Sequence, residues 1–162
     1  MFSFFTDDKD EAAPLETTPS RSRRRREPGV LSLTDRGLKE LPASDITDGD
    51  VPTRAIDLSR NAISELNPSL PFHKLYALMT LDLSHNRIAA LPAFDWAKLS
   101  VLRVSHNQLS AGSVQFSASG ENFLEHLDLS FNRLKTLPQQ MQGAAMRKWR
   151  RLKGLCIQVG AD

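Results

Sequence analysis

Three aspartates, two histidines and one cysteine are the side chains in this 162-residue sequence whose types and spacing invite a chemical reading. Asp57, Asp82 and Asp128 each stand in the same short phrase, aliphatic-Asp-Leu-Ser. A pair of carboxylates facing each other across a cleft is common equipment for general acid and base catalysis. Arg103 holds the matching place in Leu-Arg-Val-Ser, between Asp82 and Asp128, so ion pairing is the more natural use of these acids. No feature of the sequence encloses them in a pocket. His85 and His106 also hold matching places, which would bring two imidazoles together, but a zinc site needs at least three protein ligands and no third is evident. Cys156 has no histidine paired with it, and neither a glycine-rich phosphate loop nor a nucleophile elbow occurs. The sequence therefore points to no enzyme, no metal and no cofactor.

What places these residues is a repeat. Leu78 to Pro92, LMTLDLSHNRIAALP, reads as Leu78, Leu81, Leu83, Asn86, Ile88 and Leu91 with one or two residues between each. Leu81 and Leu83 alternate as on a strand with one buried face, leaving Asp82 and Ser84 on the other. Asn86 then falls where the chain must bend inward, and an amide can satisfy main-chain groups that no strand ladder reaches. The pattern returns at Ile56, Leu58, Asn61 and Ile63, at Leu102, Val104, Asn107 and Leu109, and at Leu127, Leu129, Asn132 and Leu134. A degenerate first copy runs through Leu31, Leu33, Leu38 and Leu41, with Arg36 in place of the asparagine. Equivalent residues lie 25 or 21 positions apart. One such unit cannot bury its own aliphatics, whereas stacked units can.

These features, over about Val30 to Pro138, resemble the leucine-rich repeat family. The steps Leu41-Pro42, Leu91-Pro92 and Leu137-Pro138 are similar to those of small intracellular members of the Ras-binding and related groups. The resemblance implies an α/β fold: a right-handed solenoid with a parallel β-sheet on its concave face, here about five full coils plus a partial sixth. It also implies a protein partner, such as a small GTPase or another signalling protein.

Three regions follow from composition and pattern. Residues 1–29 read as a charged, disordered tail, acidic from Asp7 to Glu16 and then basic at Arg23, Arg24, Arg25 and Arg26. Residues 30–138 hold the repeats. Residues 139–162 read as a helix, with Met141, Ala145, Trp149 and Leu152 at near-helical spacing among Arg147, Lys148, Arg150, Arg151 and Lys153, followed by a truncated repeat from Leu152 that ends on an uncovered strand. Between coils, Ala43 to Pro52 reads as loop, and Ser110 to Phe123, rich in glycine and serine, as the most mobile loop. Leu70, Phe72, Leu75 and Leu78, and further on Phe94 and Trp96, supply bulk to the returns.

A net charge of +2 singles out no partner, and one cysteine suits a reducing compartment, so a cytoplasmic setting is expected, or a nuclear one through the arginine block. No apolar run approaches the ~18 residues of a membrane span. The expected site is the concave face: Asp57, Arg60, Asp82, His85, Arg87, Arg103, His106, Asp128, Phe131 and Arg133, with Asn61, Asn86, Asn107 and Asn132 as a structural ladder beneath it. Phe131 is the expected anchor, because exposed aromatics with polar rims often dominate binding. A second reading is an adaptor drawn to an anionic membrane or nucleic acid by the basic segments 21–26 and 147–153. A third is a fragment of a longer repeat protein. Little favours nucleic acid or a small molecule as the partner of the sheet face itself.

Overall fold

The computed structural model describes residues 29–41, 52–67, 75–92, 98–116 and 123–159. Six strands of three residues each follow one another: β1 (Val30–Ser32), β2 (Ala55–Asp57), β3 (Thr80–Asp82), β4 (Val101–Arg103), β5 (His126–Asp128) and β6 (Gly154–Cys156). They form one sheet in chain order, and every neighbouring pair is parallel. The register sets Leu31, Ile56, Leu81, Leu102, Leu127 and Leu155 side by side. The chain is thus a parallel-sheet solenoid, as the repeat requires.

The strand length follows from the pattern. Only the middle residue of each strand points inward, and the next inward aliphatic already belongs to the approach to the bend. Leu58, Leu83, Val104 and Leu129 fill that second place and are fully buried, as are Ile63, Ile88 and Leu109 beyond the bend. All of these belong to one continuous core with Leu78, Leu99 and Leu124. Burying a leucine or isoleucine contributes about 1.5–3 kcal/mol, so each added coil supplies its own increment of core.

The bend is held by the asparagines. Asn86 Nδ2 donates to the Leu58 carbonyl of the preceding coil and to Leu83 and Ser84 of its own, at 3.0, 3.0 and 3.3 Å, while its Oδ1 accepts from Ile63 N. Asn107 repeats this toward Leu83, Val104 and Ser105 and accepts from Ile88 N. Asn132 does so toward Val104, Leu129 and Ser130 and accepts from Leu109 N. Asn61 bonds Leu33, Leu58 and Ser59 and accepts from both Arg36 N and Leu38 N. Each amide therefore ties two coils together through main-chain atoms.

The returns differ from the expected layout in two places. Among the described residues they carry 3-10 turns and extended chain rather than α-helix. The stretch expected as a helix folds as two 3-10 turns, Gln139–Met141 and Gly143–Lys148. Gln142 between them is extended and Gly143 has φ +53°, a left-handed conformation that stops a helix from running through. Met141 and Trp149 are buried, Trp149 Nε1 donates to the Gln140 carbonyl, and Phe116 meets the Trp149 ring edge-on at 4.7 Å. The second difference is the start of the expected mobile loop. Ser110 to Phe116 is packed, with a 3-10 turn at Ala111–Ser113, Val114 and Phe116 buried, and Leu91 bridged to Val114. Two buried apolar side chains outweigh the local glycine and serine content. The tail over 1–28, the loop over 43–51, Leu70, Phe72, Phe94, Trp96 and the final residues 160–162 lie outside the described residues.

The amide ladder yields a graded expectation. Replacing the buried Asn107 by Ala strands several main-chain groups, each worth about 1–3 kcal/mol, so a loss of at least about 3 kcal/mol is expected in urea melts. Asn61→Ala, at the more exposed end of the ladder, costs less. Asn107→Asp is no milder than Asn107→Ala, because a carboxylate donates nothing to the three carbonyls. Equal losses at Asn61 and Asn107 would count against the ladder as the source of stability.

Candidate functional site

In five successive coils the residue after the serine, or after Thr34 in the first, adopts an unusual backbone. Asp35, Arg60, His85, His106 and Phe131 have φ of 57°, 58°, 55°, 53° and 52°. Left-handed backbone at a residue bearing a Cβ costs roughly 1–2 kcal/mol. From Arg60 to Phe131 it accompanies the turn that swings the following asparagine inward, at Asp35 it precedes Arg36 instead, and the main-chain ladder continues through the row. Arg60 N donates to the Ser84 carbonyl, His85 N to Ser105 and His106 N to Ser130, at 3.0, 2.9 and 3.1 Å. The turn sends these side chains outward in register.

The consequence is a column of rings. His85 and His106 stack with centroids 4.1 Å apart and planes 10° from parallel, and His106 stacks on Phe131 at 4.2 Å and 12°. All three are exposed, Phe131 by 56%. Stacked face to face, the two imidazoles do not converge on a shared ion, and among the described residues no group of three or more histidine, cysteine or acidic side chains could hold a metal. Arg60 occupies the rung before His85, and Arg87 and Arg133 stand exposed two residues beyond His85 and Phe131.

The aspartates are used differently. Asp57, Asp82 and Asp128 each accept from the main-chain N–H two residues on, at 2.9, 2.9 and 3.0 Å. The Ser84 and Ser130 hydroxyls add bonds of 2.6 Å to Asp82 and Asp128. These are local turn bonds that set the approach to the bend, so one oxygen of each carboxylate is committed within its own coil. Partial burial opposes the charge of Asp57, but the hydroxyl and N–H of Ser59 outweigh it, with help from Thr34 and Arg103, and hold its carboxyl below the usual aspartate range. Arg103 faces Asp82 at 3.8 Å, a surface pair worth about 0–1 kcal/mol. The acids are thus spread along a sheet face, not gathered around a reacting atom. Cys156 is exposed on β6.

One row of the face goes unnoticed in the sequence reading: Val30, Ala55, Thr80, Val101, His126 and Gly154, the first residue of each strand. Strand alternation could have found it, since these lie two before the aspartate row and so on the same side. His126 lies over Gly154, where an added Cβ would come within 2.5 Å of His126 Nδ1. The basic segment after Pro138 is partly consumed by the fold. Arg151 sits 4.6 Å over the Phe123 ring, and Lys153 bonds Glu125 at 2.9 Å, which holds the Glu125 carboxyl below its usual range. Arg23, Arg24, Arg25 and Arg26 lie outside the described residues.

Comparison with known proteins agrees with the repeat. Residues 53–109 and 123–143 match leucine rich repeat families. The chain is 37% identical to Tsukushi of Mus musculus over 66% of its own length and 31% of that protein. It is 34% identical to Lumican of Oryctolagus cuniculus over 68% of its length and 59% of the relative, and 41% identical to Toll-like receptor 10 of Bos taurus over 62% and 12%. The chain thus spans less than two thirds of the curated relatives it matches.

Two outcomes follow from this geometry. Arg60→Gly relieves left-handed strain and removes no stacked ring, so stability should be unchanged or higher by up to about 1 kcal/mol. His106→Gly loses two ring contacts of about 0.5–1.5 kcal/mol each and should come out destabilised in the same melts. Asp57 ionises more readily in the folded than in the unfolded chain, so its contribution is full above the ordinary aspartate pKa of about 3.9 and fades as pH falls through the lower folded value. Ser59→Ala should raise that folded value, seen by NMR titration of the carboxyl, and so reduce the stability lost on acidification below the ordinary aspartate pKa. An unmoved titration would show that the hydroxyl does not hold the charge.

Proposed function

We propose that this chain, a leucine-rich repeat protein by its matched repeats and its parallel-sheet solenoid, is a non-catalytic module that binds a partner protein through the exposed face of the sheet. The observation that carries the reading is the exposed column His85, His106 and Phe131, set on a sheet whose every rung is fixed by main-chain bonds. Burying those rings on a partner would gain apolar contact while costing little ordering, because the backbone beneath them is already fixed. The reading has Arg103, Asp57, Asp82 and Asp128 form the polar rim, with Arg60, Arg87 and Arg133 beside the rings.

The Leu-Pro steps and compact repeats support, by resemblance, a small GTPase or another signalling protein as the partner class. The lone Cys156 supports a reducing, cytoplasmic setting, which fractionation of the tagged chain in its native cells would test. The competing adaptor reading through residues 147–153 is weakened by the surface contacts that Arg151 makes with Phe123 and Lys153 with Glu125.

Affinity capture from the native source with the wild type, an Arg103→Glu plus Phe131→Ala variant and an Arg147→Glu control tests the proposal. The first variant should lose specific partners at least tenfold while the control keeps them. Recovery of the same proteins by all three would discard the sheet face as the binding surface.

A further inference from the structure

The rows beside the ring column carry a one-sided charge. Along the ring row, Asp35, Arg60, His85, His106 and Phe131, and the neighbouring row Ala62, Arg87, Gln108 and Arg133, three arginines stand against one carboxylate, Asp35, which lies at the far end beside Arg60 and leaves the rungs of Arg87 and Arg133 without an acid. All three arginines are exposed, and among the described residues no acidic partner is recorded for any of them. The nearest acids, Asp57, Asp82 and Asp128, are turned into their own coils by Ser59, Ser84 and Ser130, and Asp82 also faces Arg103. Ring edges carry the positive end of the aromatic quadrupole, so the column's exposed edges favour anionic or carbonyl oxygens as well. The patch therefore presents uncompensated positive charge around an apolar strip.

Resting on the binding-module reading above, we propose that this patch recognises an acidic peptide segment with an aromatic or aliphatic side chain between its carboxylates. Arg87 and Arg133 stand two rungs apart, about 10 Å at the strand spacing of about 4.8 Å, which matches one three-residue turn of a polyproline-II peptide at about 3.1 Å per residue, where residues i and i+3 share an edge. Carboxylates at i and i+3 would meet the two guanidiniums, each of which can take a carboxylate bidentately, and the intervening apolar side chain would lie on the His106 and Phe131 rings. A continuous polyanion fits less well. A nucleic-acid backbone wide enough to cover both rows would also run along the Asp57, Asp82 and Asp128 row, where like charge repels it.

The test uses the full chain and fluorescein-labelled synthetic peptides read by polarisation. One peptide carries glutamates three residues apart with phenylalanine between them, a second replaces the glutamates by lysine, and a single-stranded oligonucleotide of equal charge is the third probe. The glutamate peptide should bind at least tenfold more tightly than the other two and weaken with added salt. Arg87→Gln with Arg133→Gln should cost about tenfold or more without changing the melting curve, and Phe131→Ala a similar factor. Equal binding of the lysine peptide, tighter binding of the oligonucleotide, or full affinity in the Arg87→Gln plus Arg133→Gln variant would each overturn the proposal. Failure of the glutamate peptide alongside loss of partner capture in the Arg103→Glu plus Phe131→Ala variant would sink the acidic-peptide inference and leave the binding module standing. Loss of neither capture nor peptide binding in that variant would remove the sheet face itself.

Discussion

Everything on the surface of this protein depends on how each coil disposes of its main-chain groups where it bends inward. A buried peptide group without a partner costs as much as a strong contact gains, and the bend leaves carbonyls of two coils pointing at one spot. One asparagine amide has the geometry for this. Its nitrogen donates to three carbonyls, one in the preceding coil and two in its own, and its oxygen accepts once from the preceding coil's N–H, as at Asn86 and Asn107. Aspartate lacks the donors, and serine the reach. In the four coils that carry it the amide holds the turn whose preceding residue is left-handed, and in the first coil, where Arg36 stands instead, Asn61 of the next coil accepts the Arg36 N–H at the same bend.

That coupling links the interior to the face. Because Asn61, Asn86, Asn107 and Asn132 must all point inward, Arg60, His85, His106 and Phe131 must all point outward at the same height, whatever their chemistry. Side chains that would otherwise explore several orientations are set one above another, and the rings close to 4.1 and 4.2 Å, tighter than the strand spacing of about 4.8 Å. The backbone cost of the left-handed row is met by the ladder bonds from Arg60, His85 and His106, so the strain accompanies a fixed surface. Rigidity here is a by-product of satisfying the interior.

The periodic part of this was legible in the residues alone. Leu58, Leu83, Val104 and Leu129 are fully buried, and the register of the strands is the register of the repeat. Alternation and spacing encode exactly those quantities that depend on one residue type recurring at one place. The matching places of His85, His106 and Phe131 were legible as well, but their face-to-face stacking was not, since it depends on the sign of φ and no residue type in the row declares it. Asp82 and Asp128 read as ion-paired across Arg103, which holds at 3.8 Å for Asp82, but no residue type declares the local turn bonds that commit one oxygen of Asp57, Asp82 and Asp128. The return after Pro138 misled because helix-favouring residues at helical spacing outnumber the single feature that stops the helix, Gly143 in a left-handed conformation. Ser110 to Phe116 misled for the opposite reason: local composition favoured a loop, and Val114 and Phe116 found a core to enter.

A comparison between neighbouring strands shows where the stability of such a stack resides. Leu127 and Leu155 are register partners, yet Leu127 is 1% exposed, covered on both sides by coils, whereas Leu155 on the last described strand is 37% exposed. The same residue type at the same place in the repeat thus differs by roughly a third of a leucine's burial energy of about 1.5–3 kcal/mol between an inner strand and the last described one, whereas Leu31 on β1 stays buried at 4% exposed. A coil is therefore stabilised mainly by its neighbours and only secondarily by its own contacts. It follows that the central coils, which carry His85 and His106, form the most strongly braced part of the sheet, while Phe131 stands on the coil beside the last described strand. A recognition surface centred there stays ordered under fluctuations that would open the outer strands.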